Sequence, residues 1–212
     1  MVSLPQDCRP GKLPSRYRFG RVLFLDLFFL ALLVRLIFLI PVLLAFARGE
    51  PPYLGGDWGA FHDWGEKILS GSGMVTAGQP TAEYTPLYPL FIASVYALAG
   101  PVPWFILLAQ TILGALTCTI VAAAAKGLVV HPVGGRYAAL TAGVFYALYP
   151  PLIKSEHLIM TESLFVFWVA ICLLILVLLE RRMTLMGMAW LGLAGALGSL
   201  TKPSLAILPF VT

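Results

Sequence analysis

Apolar residues arrive in long blocks separated by short polar punctuation. The first block runs from Val22 to Ala47 and is interrupted only by Asp26 and Arg35. Later blocks are Leu87 to Ala99, Val102 to Ala125, Tyr137 to Ile153, Leu158 to Leu179, and Met183 to Thr212, the last broken at Lys202-Pro203. At least two exceed the ~18 uncharged apolar residues that mark a bilayer span. The pattern predicts an all-α chain, a polytopic membrane helix bundle of about five transmembrane helices. The block Leu87–Ala99 has only 13 residues. As a helix it rises about 20 Å, short of the ~30 Å hydrocarbon core, and it is expected to be juxtamembrane or re-entrant.

That exception also makes the charges consistent. If every block crossed, the Lys126/Arg136 turn would lie outside, against the positive-inside tendency. With Leu87–Ala99 set aside, the cluster Arg9 to Arg21, the Lys126/Arg136 turn and Arg181/Arg182 all fall on the cytoplasmic side. The amino terminus, residues 1–21, is then a cytoplasmic basic segment, followed by one transmembrane module over 22–212. Ala45-Phe46-Ala47 imitates a signal-cleavage site, but the apolar stretch before it is longer than such signals have.

Composition agrees. Of 212 residues, 59% are hydrophobic and 11% charged, against about 25% charged in soluble domains. The net charge of +4 comes from basic residues scattered among apolar segments, which form no continuous face for nucleic acid. Three scattered cysteines suggest neither a disulfide framework nor a zinc site. No cofactor is expected, although a divalent metal stays open. The chain reads as an integral, multi-pass membrane protein with its amino terminus cytoplasmic.

The outer side then receives 48–101, loop-like to about Tyr88, and a short loop from Lys154 to Glu162. Most acids lie in these two segments: Glu50, Asp57, Asp63, Glu66, Glu83, Glu156 and Glu162. In the long one, small or apolar residues at 58, 61, 64, 65, 68 and 69 have helical spacing. Asp57 stands just before them, as an N-cap or as a catalytic carboxylate. His62 with Glu66, and Asp63 with Lys67, share i, i+4 spacing; the first is a thin metal site, the second an ordinary ion pair.

Arg35 is costly inside a span unless paired. Asp26 is about 13 Å away along the axis, so another helix or a lipid carrier must supply the partner. From Met183 to Lys202 a helix rises roughly 28 Å, which brings this lysine near the outer headgroups, by snorkelling or for a lipid phosphate. Lys154 and His157 are weaker candidates for the same negative charge. Glu162 enters an apolar run as an acid, either as a solvated interfacial residue or as a functional one.

Several fragments resemble the membrane glycosyltransferases of the GT-C fold, of the protein O-mannosyltransferase and aminoarabinose transferase superfamily. Asp57, Phe61, Gly65, Ile68-Leu69, Gly71 and Gly73 are similar to that family's first outer loop. Thr85-Pro86-Leu87-Tyr88-Pro89-Leu90-Phe91 resembles the proline-tyrosine segment after it, and Gln110 to Leu116 the next helix. Tyr149 to Ile153 with Met160 to Phe165 resembles the second outer loop, and Gly192 to Pro203 a helix with a basic residue before proline. Each fragment is weak alone; their order over about 150 residues is the stronger signal.

The resemblance implies an enzyme that moves a sugar from a polyprenyl-phosphate donor to a lipid, glycan or protein acceptor at the outer face, by inverting single displacement. Membrane lipids are partners; nucleic acid is not. It implies Asp57 and Glu162 as catalytic residues, and Lys202, Arg35, Lys154 and Tyr88 as residues for the substrate or lipid phosphate. Trp58 stands where the family usually has a second acid, which leaves Asp57 alone as base. Family members are longer, so the module is expected to be incomplete at its carboxyl end. A transporter or channel-like subunit, and a truncated non-catalytic remnant, are the other readings.

Overall fold

The computed structural model describes residues 15–50, 57–76, 79–80 and 84–204, with side chains from residue 23 onward except those of 57, 76 and 80. The fold is all-α. Eight helices occur among the described residues: α1 (Ser15–Ala47), α2 (Asp57–Leu69), α3 (Leu87–Ala99), α4 (Pro103–Leu128), α5 (Pro132–Leu148), α6 (Pro150–Glu156), α7 (Glu162–Arg181) and α8 (Leu185–Thr201). A two-residue antiparallel ladder, β1 (Val75–Thr76) with β2 (Gln79–Pro80), links α2 to α3.

Local chemistry sets the helix ends. α4, α5 and α6 begin at proline, whose missing N–H falls where a helix has no acceptor for one. Thr184 caps α8 by accepting from the Gly187 amide at 3.1 Å. Gly49 and Gly71 close α1 and α2 in left-handed conformations, with φ of 73° and 81°. At each, the next amide reaches back five residues: Glu50 to Ala45, and Ser72 to Lys67.

Three helical stretches are long and apolar enough to cross a membrane: Leu23–Ala47, Pro103–Leu128 and Glu162–Arg181. The first of them exposes Leu25, Phe29, Leu33, Ile37, Phe38 and Ile40, an outward face as apolar as a core. α5 and α8, at 17 residues each, rise about 25 Å, and α3, at 13, about 20 Å.

The interior has two apolar storeys. The lower one packs Leu27, Ala31, Ala115, Cys118, Ala122, Ala139, Tyr146 and Ala147 from α1, α4 and α5. Its many alanines allow close approach, and Gly143 backs directly onto the Leu27 side chain. The upper storey is aromatic: Phe61 and Trp64 of α2 meet Tyr88, Ile92 and Tyr96 of α3, with Leu39 of α1 and Ile106 and Leu107 of α4. Phe61 makes edge contacts with Tyr84 and Tyr88 at 5.1 and 4.9 Å between ring centroids.

Basic residues gather at the opposite end from α2 and α3. Lys126 Nζ lies 5.4 Å from the Phe24 ring centroid, and Arg181 donates to the Gly127 carbonyl. Gly135, next to Arg136, approaches the Lys126 carbonyl.

Two expectations need correction. The block Tyr137 to Ile153 is not one helix: it breaks at the extended residue Tyr149, and α6 starts anew at Pro150. Pro150 and Pro151 lack the amides that would continue α5. The acids of the second outer segment also do not share one loop, because Glu156 turns inward and is buried.

Candidate functional site

Between the two storeys lies a polar layer. On α1, Arg35 separates Ala31 below from Leu39 above; on α4, Gln110 and Gly114 stand between Leu107 and Ala115. Arg35 is at the midpoint of the apolar stretch Leu23–Ala47 and fully buried. Its Nε donates to Glu156 Oε2 at 2.5 Å and its Nη2 to Oε1 at 3.1 Å. Nη1 donates to the carbonyls of Ala31 and Ala147 at 3.3 and 3.4 Å, and the Tyr146 ring centroid is 5.4 Å from the guanidinium carbon. The Arg35 carbonyl faces His157 Nε2 at 3.2 Å.

Arg35 is therefore not available to a lipid phosphate, which corrects the expectation for it. Its partner comes from α6. The Glu156 carboxylate lies where a side chain at Gly114 would be, so glycine there makes room for the ion pair.

Gln110 carries the layer onward. Its amide donates to the Glu156 and Leu158 carbonyls, both at 2.8 Å, satisfying the last carbonyl of α6 and holding one two residues beyond it. Its carbonyl oxygen accepts from the Tyr88 hydroxyl at 2.5 Å. Tyr88 is fully buried and committed to this bond, so its expected role as a phosphate ligand is also corrected. Burial first, then the Glu162 carboxylate, pushes the Tyr88 phenol well above its ordinary value, and it stays a donor.

At the far end, Lys202 Nζ bonds Glu162 Oε1 at 3.0 Å. The pair joins the first turn of α7 to the residue after α8, and both side chains are partly exposed, 42% for Lys202 and 32% for Glu162. The Phe165 ring centroid is 5.9 Å from the ammonium. Thr85, just before α3, donates to the Thr201 carbonyl at 2.7 Å and ties this corner to the upper storey. Glu162 Oε2, Ser163 Oγ, Thr111 Oγ1 and Trp168 Nε1 are buried and have no hydrogen-bond partner among the described residues.

The remaining candidates fall elsewhere. Asp57 opens α2, one turn before Phe61, but its side chain lies outside the described residues, as does Glu83. Lys154 is exposed on α6 and has no ion-pair partner among the described residues. His62 Nδ1 meets the Tyr96 hydroxyl at 2.6 Å, its ring stacks on Trp58, and its Nε2 is 3.7 Å from Glu66. Two such groups do not make a metal cage, and no group of three ligating residues occurs among the described residues. The expected Asp63–Lys67 pair does not form: Lys67 donates to the Val75 carbonyl at 3.0 Å, and Asp63 is exposed.

Of the six residues singled out in the sequence, the structure joins Glu162 to Lys202. Tyr88 enters the same layer, held by Gln110. Glu156 and Gln110 are the functional-layer residues that sequence reasoning passed over. Gln110, a lone amide within an apolar run, was the visible signal. No protein-family model matches the chain, and comparison with curated proteins and with solved structures finds no similar protein.

Proposed function

We propose that the chain is the module of a multi-pass membrane glycosyltransferase that moves a sugar from a polyprenyl-phosphate donor to an acceptor at the outer face of the membrane. The observation that carries this reading is the Glu162–Lys202 pair, partly open and set beside the aromatic storey whose helix α2 begins at Asp57. A lysine that reaches a carboxylate at 3.0 Å can exchange it for a phosphate oxygen. Glu162 Oε1, released by the lysine, can then accept from an acceptor hydroxyl. Asp57 removes the hydroxyl proton while that oxygen attacks the anomeric carbon; the bond from that carbon to the lipid phosphate breaks, and the phosphate leaves against Lys202. One displacement inverts the anomeric centre.

The orientation rests on charge. Lys126, Arg136 and Arg181 share the end opposite α2 and α3, and the positive-inside tendency makes that end cytoplasmic. Five crossings follow if α5 and α8, each about 25 Å long, count with the three longer helices.

Turnover of a lipid-linked sugar in membranes is the test. Asp57→Asn should abolish it while protein abundance holds; unchanged turnover would defeat the reading. One observation favours a transporter instead: an arginine–glutamate pair at the middle of a span, where charged residues often mark ion or solute paths. Solute flux in proteoliposomes, without sugar transfer, would decide for it.

A further inference from the structure

We propose that Arg35 and Glu156 are positioning residues: their ion pair locks α6 at the mid-height of α1 and α4, and the lock sets where Glu162 meets Lys202. The inference extends the transferase reading to residues remote from its site, but the lock itself depends only on the bundle.

The links are continuous. The Arg35–Glu156 bond fastens α6 to α1. Gly114 leaves the Glu156 carboxylate its place on α4, eleven residues below the start of that helix at Pro103. Gln110, one turn higher on α4, holds the carbonyls of Glu156 and Leu158. Leu158 is four residues from Glu162, so the clamp fixes the start of the connection that delivers Glu162 to the first turn of α7. Tyr88 orients Gln110 from α3, and Thr85, three residues before Tyr88, holds the Thr201 carbonyl beside Lys202.

The physical need is plain. The connection 149–161 joins α5 to α7 with only seven helical residues, packed against Arg35 of α1 and Gly114 of α4. Irregular backbone buried among helices persists only where protein groups satisfy it. Gln110 does so for two carbonyls, and the ion pair sets the height. A guanidinium is the suitable cation, because it stays charged when buried and grips both carboxylate oxygens at once.

Spin labels test the lock without any assay of transfer. Labels at Lys154→Cys on α6 and Ile37→Cys on α1 report the first distance; labels at Lys154→Cys and Leu200→Cys on α8 report the second. All three positions are exposed. The background carries Cys8→Ser, Cys118→Ala and Cys172→Ala. With Arg35 and Glu156 intact, both distance distributions should be narrow. Glu156→Gln should broaden both, and the exchange Arg35→Glu with Glu156→Arg should narrow them again. Where Glu156→Gln does not yield monodisperse protein, Arg35→Lys replaces it, with both distributions expected to widen.

Unchanged distributions in the single variants would overturn the lock. So would an exchange variant as broad as Glu156→Gln, since the pair would then not be what holds α6. If only the first distance broadened, the claim that the lock places Glu162 against Lys202 would be lost. Loss of sugar turnover in Asp57→Asn bears on none of these distances, so the lock and the transferase reading fail separately.

Discussion

Arg35 and Glu156 are 121 residues apart in the chain and 2.5 Å apart in the fold, buried between an alanine-rich lower storey and an aromatic upper one. A lone arginine at mid-span costs about 2.5–3.5 kcal/mol on insertion scales, and α6 removes that penalty by bringing the carboxylate to it. Removing one partner of such a buried pair costs about 3–5 kcal/mol, whereas replacing both with apolar residues is often close to neutral. Arg35→Met and Glu156→Met should each lower unfolding stability in detergent by that amount, and the double variant should recover most of it. Gly114→Ala should resemble the single variants, because its methyl occupies the place of the Glu156 carboxylate.

Two glycine substitutions with the same side chain should give opposite results. A methyl at Gly65 overlaps Ile92, a β-branched residue with little rotamer freedom, so Gly65→Ala should destabilise the α2–α3 contact by about 1–3 kcal/mol. Ile92→Ala removes the Cγ2 methyl that the new methyl overlaps, so it should cost less in the Gly65→Ala chain than in the unaltered one. At Gly192 on α8 nothing lies within 4 Å, and Gly192→Ala should be neutral or stabilising by up to ~1 kcal/mol through helix propensity. Thermal midpoints of these variants measure this.

If Lys202 holds the donor phosphate, Lys202→Met should raise KM for the lipid-linked sugar more than it lowers kcat. Glu162→Gln should lower kcat with a smaller effect on KM, by about 10²-fold if the carboxylate acts on the reacting hydroxyl. Steady-state turnover with graded donor concentrations separates the two. Equal effects of both variants on kcat alone would remove the phosphate role from Lys202.

Topology is open to direct labelling. Cysteine placed at Glu66 on α2 should react with an impermeant maleimide added outside intact cells. Cysteine at Lys126 or Arg182 should react only after permeabilisation. Reaction at Lys126 from outside would mean that α3 crosses the membrane, and would put the α2 layer and the Glu162–Lys202 pair on different sides.

Much of the architecture was legible because bilayer-scale helices are written in unbroken apolar length. The stretches around α1, α4 and α7 need no tertiary information to be recognised, and Gly49 and Pro103 mark the end of the first and the start of the second. α2 was legible through its aromatic spacing, and Gly71 closes it. Lys202 and Glu162 stood out as charges at the ends of apolar runs, but their meeting could not be read, because nothing local relates the ends of two different helices.

Glu156 was misread for a physical reason. Position in the chain places it among the acids of a polar connection, and only the break at Tyr149-Pro150 turns it inward. Arg35 announced that it needed a partner, yet every acid in the chain was a formal candidate. Hydrophobic length and the ends of helices are local properties, and the amino-acid sequence determined them by itself. Which charges neutralise one another at mid-span is decided by helix packing, since that choice depends on the small residues, Gly114 above all, that let α1, α4 and α6 come close enough for a guanidinium to reach a carboxylate.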